Sequence, residues 1–322
     1  MTALISPDIT IAQSLLEQGK VVAIPTETVY GLAGNALDLG AVAEIFRVKN
    51  RPTFDPLIIH VGSVAQMLDY VSSFPDNAQK LAKQFMPGPL TLLLSKRDIV
   101  PDLVTSGSPL VAIRIPAHPL TNALLNNLSF PLAAPSANPF GYISPTSSAH
   151  VAAQLGEHIP FILEGGPCEV GVESTIVGFD EATGQGIVYR KGGLAVEDIE
   201  AVIGEVQVIS HSSSNPQAPG MLKSHYAPRL PFLLGDIETL ISQHSNKSLA
   251  VLSFQKLWLS VAPEHQRALS LQGDMHEAAR NLFGFMRELD ALPVELIVAE
   301  LLPETGLGRA INDRLRRAAA AE

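Results

Sequence analysis

The chain of 322 residues is 46% hydrophobic and 17% charged, too apolar and too weakly charged for a disordered polypeptide, and at roughly 150 residues per domain it has the length for two. Its formal charge of -10 argues against a stand-alone nucleic-acid binder, whose phosphate contacts need a basic surface. A single cysteine, Cys168, excludes a disulfide framework and a multi-cysteine metal site and reads as a small core residue.

Along residues 1–205, short apolar strands alternate with helical periods. Strands are predicted at 21–24, 57–61, 91–94, 111–115, 132–134, 161–163, 175–179 and 187–189. Helices are predicted at 9–18, 77–85, 120–126 and 149–155. A further helical stripe carries Val42, Ile45 and Phe46 and must stop at Pro52. This unit is expected to be a mixed α/β domain, and it holds most of the acid excess. The run 210–220, SHSSSNPQAPG, lacks a hydrophobic period and reads as part of a linker over 206–228. Beyond it, in 229–322, stretches 230–234, 249–254 and 296–299 read as buried parallel strands, with helices at 237–244 and 276–289. A small three-layer α/β domain is expected. The tail, 308–321, is helical and carries Arg309, Arg314, Arg316 and Arg317, which suit either a solvated face or tRNA phosphate. No apolar run approaches the roughly 18–20 residues of a bilayer-spanning helix, and no leader pattern opens the chain, so a cytoplasmic location is expected.

Standard nucleotide, zinc and α/β-hydrolase signatures are absent. Polar loops at strand ends stand out instead. Residues 25–32, PTETVYGL, present hydroxyls and a carboxylate after a strand, or simply form a hydroxyl-capped turn. Lys49 and Arg51 lie one residue apart outside a helix and can bracket phosphate oxygens, although Lys49 alone also suits a helix C-terminus. Arg114 sits inside the apolar strand AIRIP and needs a carboxylate partner, an internal acid or a ligand. The loops APSANPFG (134–141) and GVESTI (171–176), and Arg190 before Gly192 and Gly193, complete a set of cations expected to converge on anions. A strong general base is not evident.

Read in order, PTETVYGL, KNRP (49–52), PLIIH (56–60), PGPLT (87–91), VAIRIPAHP (111–119), APSAN (134–138), SPT (144–146), GVESTI and PGMLKSHYAP (219–228) closely resemble the YrdC-type threonylcarbamoyl-AMP synthases. The last motif and the unit after it resemble the two-domain form. The resemblance implies a YrdC-like twisted mixed-sheet catalytic domain, a linker, and a small Rossmann-like α/β C-terminal domain. It further implies a nucleotidyltransferase that joins L-threonine, bicarbonate and ATP into L-threonylcarbamoyladenylate, releasing pyrophosphate, with Mg²⁺ expected to assist. The product serves threonylcarbamoylation of tRNA beside the anticodon. Contact with tRNA or with a downstream threonylcarbamoyl-transferase is therefore a further expectation, and a membrane role is not.

Carried over by motif, Lys49 and Arg51 are expected on the ATP phosphates as the catalytic pair, with Asp55, Ser136, Asn138, Ser144, Arg190 and His225 also around ATP. Thr28, His60, Arg114, Ala134 and Ser174 are expected around L-threonine, with Arg114 as the bidentate partner of its carboxylate. Residues 219–228 are expected to fold over the pocket and exclude water. Two positions depart from the pattern. Asp55 stands where Asn is frequent, placing an acid near the phosphates, and Phe140 replaces a small residue. Rival readings are an RNA-binding module, a carbamoyl-transferring maturation factor, against which length and cysteine content speak, and a catalytically silent paralogue.

Overall fold

The computed structural model describes residues 2–209 and 225–320. Among them, eleven strands form one mixed sheet: β1 (Leu4–Ser6), β2 (Val22–Ile24), β3 (Gly31–Asn35), β4 (Ile58–His60), β5 (Leu90–Ser95), β6 (Leu110–Arg114), β7 (Leu132–Ala133), β8 (Phe161–Leu163), β9 (Thr175–Phe179), β10 (Gly186–Arg190) and β11 (Gln207–Val208). Their spatial order is β1-β8-β2-β3-β7-β4-β6-β5-β9-β10-β11. The centre alternates direction: β4 runs parallel to β6, β6 antiparallel to β5, and β5 parallel to β9.

Strand periodicity decides what each face of this sheet carries. Leu90, Leu92 and Leu94 of β5, Val111 and Ile113 of β6 and Ile59 of β4 point to one face. There they pack against Val42, Ile45 and Phe46 of helix Leu39–Lys49 and Ala78, Leu81 and Ala82 of helix Asp76–Phe85. The alternate residues Ile58, Leu93, Ala112 and Ile176 form a thinner apolar patch on the opposite face. His60, Thr91 and Arg114 follow that second parity, so they stand on the face turned away from these helices. Asp38 caps helix Leu39–Lys49 by accepting from Gly40 N, and Asn50, left-handed at φ 51, ends it before Pro52 can.

The second domain has four parallel strands, β12 (Phe232–Leu234), β13 (Leu249–Ser253), β14 (Gln266–Ala268) and β15 (Leu296–Ala299), ordered β12-β15-β13-β14. Helices Met275–Asp290 and Gly308–Ala318 cover one face and helix Ile237–Gln243 the other, as an all-parallel sheet requires. Four strands and several short helices, among them Val64–Met67 and Asp102–Thr105, exceed the expectation from sequence: β1, β11 and β14 are too short to display a period, and β3 begins inside the polar motif that sequence reads as loop. Helix Val196–Ile203 was likewise not anticipated.

One apolar cluster spans both domains, joining Val29, Ile143 and Val172 to Leu282, Phe283 and Met286. Gly171 makes this contact possible. Its φ is +79, and a Cβ there would lie 2.3 Å from the Cα of Arg280 in the second domain. No helix of the described residues is long and apolar enough to cross a membrane.

Candidate functional site

The pairing register draws a row across the sheet. His60 stands opposite Arg114, Arg114 opposite Thr91, Thr91 opposite Ile176, and Ile176 opposite Arg190. Arg190 joins the row only through a bulge. Val188 packs on the helix-covered face, and two residues on, Arg190 would do the same but for the register shift between them, which re-aims its side chain. Above the row lies a narrow hollow with a cavity volume of about 60 Å³. It is lined by Thr28, Arg51, His60, Arg114, Ala134, Ser136, Glu173, Ser174, Arg190, His225 and Tyr226, among others.

Each of the three arginines in this hollow is fixed by the protein. Arg51 forms an ion pair with Asp55 at 2.9 Å and donates to the carbonyls of Asp55 and Pro56. Arg114 meets Glu27 at 2.6 Å and donates to the Thr28 hydroxyl at 2.8 Å and the Gly88 carbonyl at 3.2 Å. The acid that sequence required of Arg114 is therefore internal. Arg190 donates through Nε and Nη2 to the Ser174 carbonyl, and through Nη2 to the Ser174 hydroxyl, which shares a 2.7 Å hydrogen bond with Thr91. Burial lowers Arg190 to about 10, with Tyr226 and Glu173 opposing, so it stays charged at neutral pH.

Four expected nucleotide residues stand behind the hollow rather than on its surface. Lys49 is 1% exposed, and its Nζ donates to the carbonyls of Ser136 and Asn138 at 2.5 Å each. The lysine thus ties down the loop that follows β7, and left-handed Asn50 turns Lys49 and Arg51 apart. Burial, then the charge of Arg51, holds its ammonium well below the usual lysine range. Asp55 is wholly buried against Arg51. Asn138 spends its amide on the carbonyls of Pro139 and Tyr142, and Ser144 donates to Glu173 at 2.6 Å. Phe140, the second departure from the family pattern, lies under the Arg51 guanidinium at 5.7 Å and edge-on to His225 at 5.6 Å.

The two histidines of the hollow are held neutral. Burial, then the Arg114 charge, pushes His60 down to about 3. Burial, then Arg317 and Arg51, holds His225 well below the ordinary imidazole value. Both therefore offer hydrogen bonds rather than charge. Of the expected covering segment, 219–224 lies outside the described residues, while His225 and Tyr226 form part of the wall.

Sequence reasoning gave no role to Thr91, Glu173 or Tyr226, named Glu27 only as the carboxylate of its motif, and read Arg314 as part of a solvated or phosphate-binding face. Glu27 and Glu173 had a signal, because each is an acid inside a motif that otherwise presents hydroxyls and glycines. Burial opposes ionisation of Glu173, yet Arg314, Arg190 and the Ser144 hydroxyl hold its carboxyl below the usual value. Arg314 corrects the reading of the C-terminal helix. It is fully buried and paired with Glu173 at 3.1 Å, and Arg317, also buried, lies 4.9 Å from the centre of the Tyr226 ring. Only Arg309 and Arg316, paired with Glu197 and Glu304, remain on a solvated face. Cys168 is a buried thiol whose pKa burial raises.

Comparison with known proteins agrees with this architecture. The Sua5/YciO/YrdC family model, described as telomere recombination, matches residues 14–192, and the model described as threonylcarbamoyl-AMP synthase, C-terminal domain, matches residues 194–320. A threonylcarbamoyl-AMP synthase of Pyrococcus abyssi is 41% identical over 96% of this chain and 93% of its own length. That of Bacillus subtilis is 39% identical over 97% and 93%. The solved structure of P. abyssi Sua5 complexed with L-threonine superposes with a TM-score of 0.91 at 39% identity, covering 98% of each chain. With both domains matched in order over nearly the whole chain, the chain belongs to the Sua5/YciO/YrdC family, in its two-domain threonylcarbamoyl-AMP synthase form.

Proposed function

We propose that the protein condenses L-threonine, bicarbonate and ATP into L-threonylcarbamoyladenylate with release of pyrophosphate, a nucleotidyl transfer that supplies tRNA threonylcarbamoylation. The observation that carries this reading is the single hollow into which Arg51, Arg114 and Arg190 converge from distant stretches of an acidic chain. Two substrates that repel each other, a carbamate and a triphosphate, need such neutralisation before they can approach.

In this reading L-threonine lies against Thr28, His60, Arg114, Ala134 and Ser174. ATP lies along Arg51, Ser136, Arg190 and His225, with Lys49, Asp55, Asn138 and Ser144 holding that wall from behind. The threonine amine attacks the carbon of bicarbonate and water leaves, giving the carbamate. A carbamate oxygen then attacks the α-phosphorus of ATP, the bond to the β-phosphate oxygen breaks, and pyrophosphate departs. No side-chain nucleophile takes part. The protein aligns the two anions, and His225 and Tyr226 help keep water from the hydrolysable carbamate and mixed anhydride. The carboxylates nearest the hollow, Glu27, Asp55 and Glu173, are each paired with an arginine, and no cluster of three metal-ligating side chains occurs among the described residues. These residues do not fit a resident Mg²⁺. An ion that accompanies ATP would be held by phosphate oxygens.

The test is pyrophosphate release from ATP by the full chain and by Arg51→Ala. Release that requires both L-threonine and bicarbonate and collapses in the variant is expected. Release indifferent to bicarbonate would instead mark an ordinary amino-acid adenylating enzyme.

A further inference from the structure

The last helix of the second domain reaches into the wall of the hollow. Arg314, fully buried, donates through Nε and Nη2 to Glu173 Oε2 at 3.1 Å each, and through Nη1 to the Lys191 carbonyl at 2.6 Å. Glu173 itself lines the hollow, and its other oxygen accepts from Ser144. A buried carboxylate beside a site for a polyanion is a liability, because like charges repel strongly where water is scarce. Two arginines balance this charge: Arg190 of the first domain and Arg314 of the second. Arg190 is also the group placed on the nucleotide.

We propose that Arg314 is a positioning residue for ATP: by neutralising Glu173 from across the domain interface, it lets the charge of Arg190 act on the phosphates, so the second domain completes the anion site of the first. The inference rests on the reading of the hollow as an ATP site. With Arg314 gone, Glu173 turns its charge onto Arg190 and toward the incoming phosphates, while L-threonine, held mainly by Thr28, His60 and Arg114 toward the other end of the row and touching this end only through Ser174, is less affected. If the Glu173 charge is removed as well, the need for Arg314 disappears.

The experiment is calorimetric titration of the full chain with ATP and, separately, with L-threonine, for wild type, Arg314→Met, Arg314→Lys and Arg314→Met combined with Glu173→Gln. Arg314→Met is expected to weaken ATP binding roughly tenfold or more, the scale of an unbalanced charge at a few ångströms. L-threonine affinity should stay within about twofold, Arg314→Lys should recover part of the loss, and the double variant should return to within about threefold of wild type. Unchanged ATP affinity in Arg314→Met would overturn the proposal. So would a double variant as weak as the single one, or equal weakening of both ligands, since either means the arginine serves only shape. A wild type that binds no ATP fails the parent reading instead, before any variant is compared.

Discussion

Arg51 and Asp55 meet at 2.9 Å with side chains 5% and 0% exposed, one turn of chain apart, at the rim of the hollow. A buried ion pair that loses one partner leaves an uncompensated charge, at a cost of about 3–5 kcal/mol. Arg51→Ala should therefore lower stability as well as abolish pyrophosphate release. Asp55→Asn should be milder, because Arg51 keeps its bonds to the carbonyls of Asp55 and Pro56. Pyrophosphate release within a fewfold of wild type is expected for Asp55→Asn. Its complete loss would show that the acid, not the arginine, organises this rim.

Arg114 holds two tasks that can be separated. It neutralises Glu27 inside the protein and is proposed to meet the threonine carboxylate. Arg114→Met should destabilise the fold strongly by stranding Glu27, and adding Glu27→Gln should restore much of the melting temperature. L-Threonine binding should not return in the double variant. If calorimetry shows threonine bound normally by the stable double variant, the assignment of Arg114 to the substrate carboxylate is wrong.

For Lys49 the geometry predicts a signature in the ligand-free protein. Its two hydrogen bonds run to loop carbonyls, so Lys49→Met should cost about 1–3 kcal/mol of stability before any ATP is added. ATP affinity should fall too, through displacement of Ser136. A lysine reserved for phosphate would leave the melting temperature of the ligand-free protein unmoved.

Much of this was legible in the sequence, for identifiable reasons. Central strands such as β5 and β6 announce themselves because burial on both faces demands a continuous apolar run, and Arg114 stands out because a guanidinium in such a run must be paired. What stayed hidden depends on backbone geometry that spacing does not encode. The left-handed turn at Asn50 sends Lys49 inward and Arg51 toward the hollow, although K-x-R suggests two equivalent cations. The bulge before Arg190 decides which face of the sheet that arginine serves. The role of Arg314 is written only in the docking of two domains, since its helix shows ordinary amphipathicity and its buried face packs partly against the other domain.

The neutral histidines predict a pH dependence of stability. His60 takes a proton near 6.5 when unfolded but only near 3 when folded, owing to burial and then Arg114. Between these values the unfolded state binds more protons, so its contribution is complete above 6.5 and is lost progressively as pH falls toward 3. Burial gives His150, at about 4, and His225 the same sign. Denaturant titrations between about pH 6 and 4 should show His60→Gln with a slope shallower by about 1.4 kcal/mol per pH unit than wild type. Parallel slopes would mean that His60 is protonated in the folded protein.

Asp290 ties the domains from the opposite side to Arg314. Its carboxylate, with no exposed side-chain surface, accepts from the Tyr142 hydroxyl at 2.6 Å, Arg229 Nε at 3.1 Å and Leu230 N at 3.0 Å. Beside it, Arg287 donates to the carbonyls of Ile143 and Ser144, the residue that in turn donates to Glu173. Because one apolar cluster and these polar bonds cross the same interface, wild type should unfold in a single calorimetric transition. Asp290→Ala removes three hydrogen bonds at once; Arg229 is largely exposed and can turn to water, so the cost should be about 1–3 kcal/mol in all, mostly from Tyr142 and Leu230. The expected result is a split into two transitions, with the lower one belonging to the domain that loses its neighbour first. A single transition at the wild-type temperature would show that the apolar cluster alone couples the domains, and that the Asp290 hydrogen bonds add nothing to it.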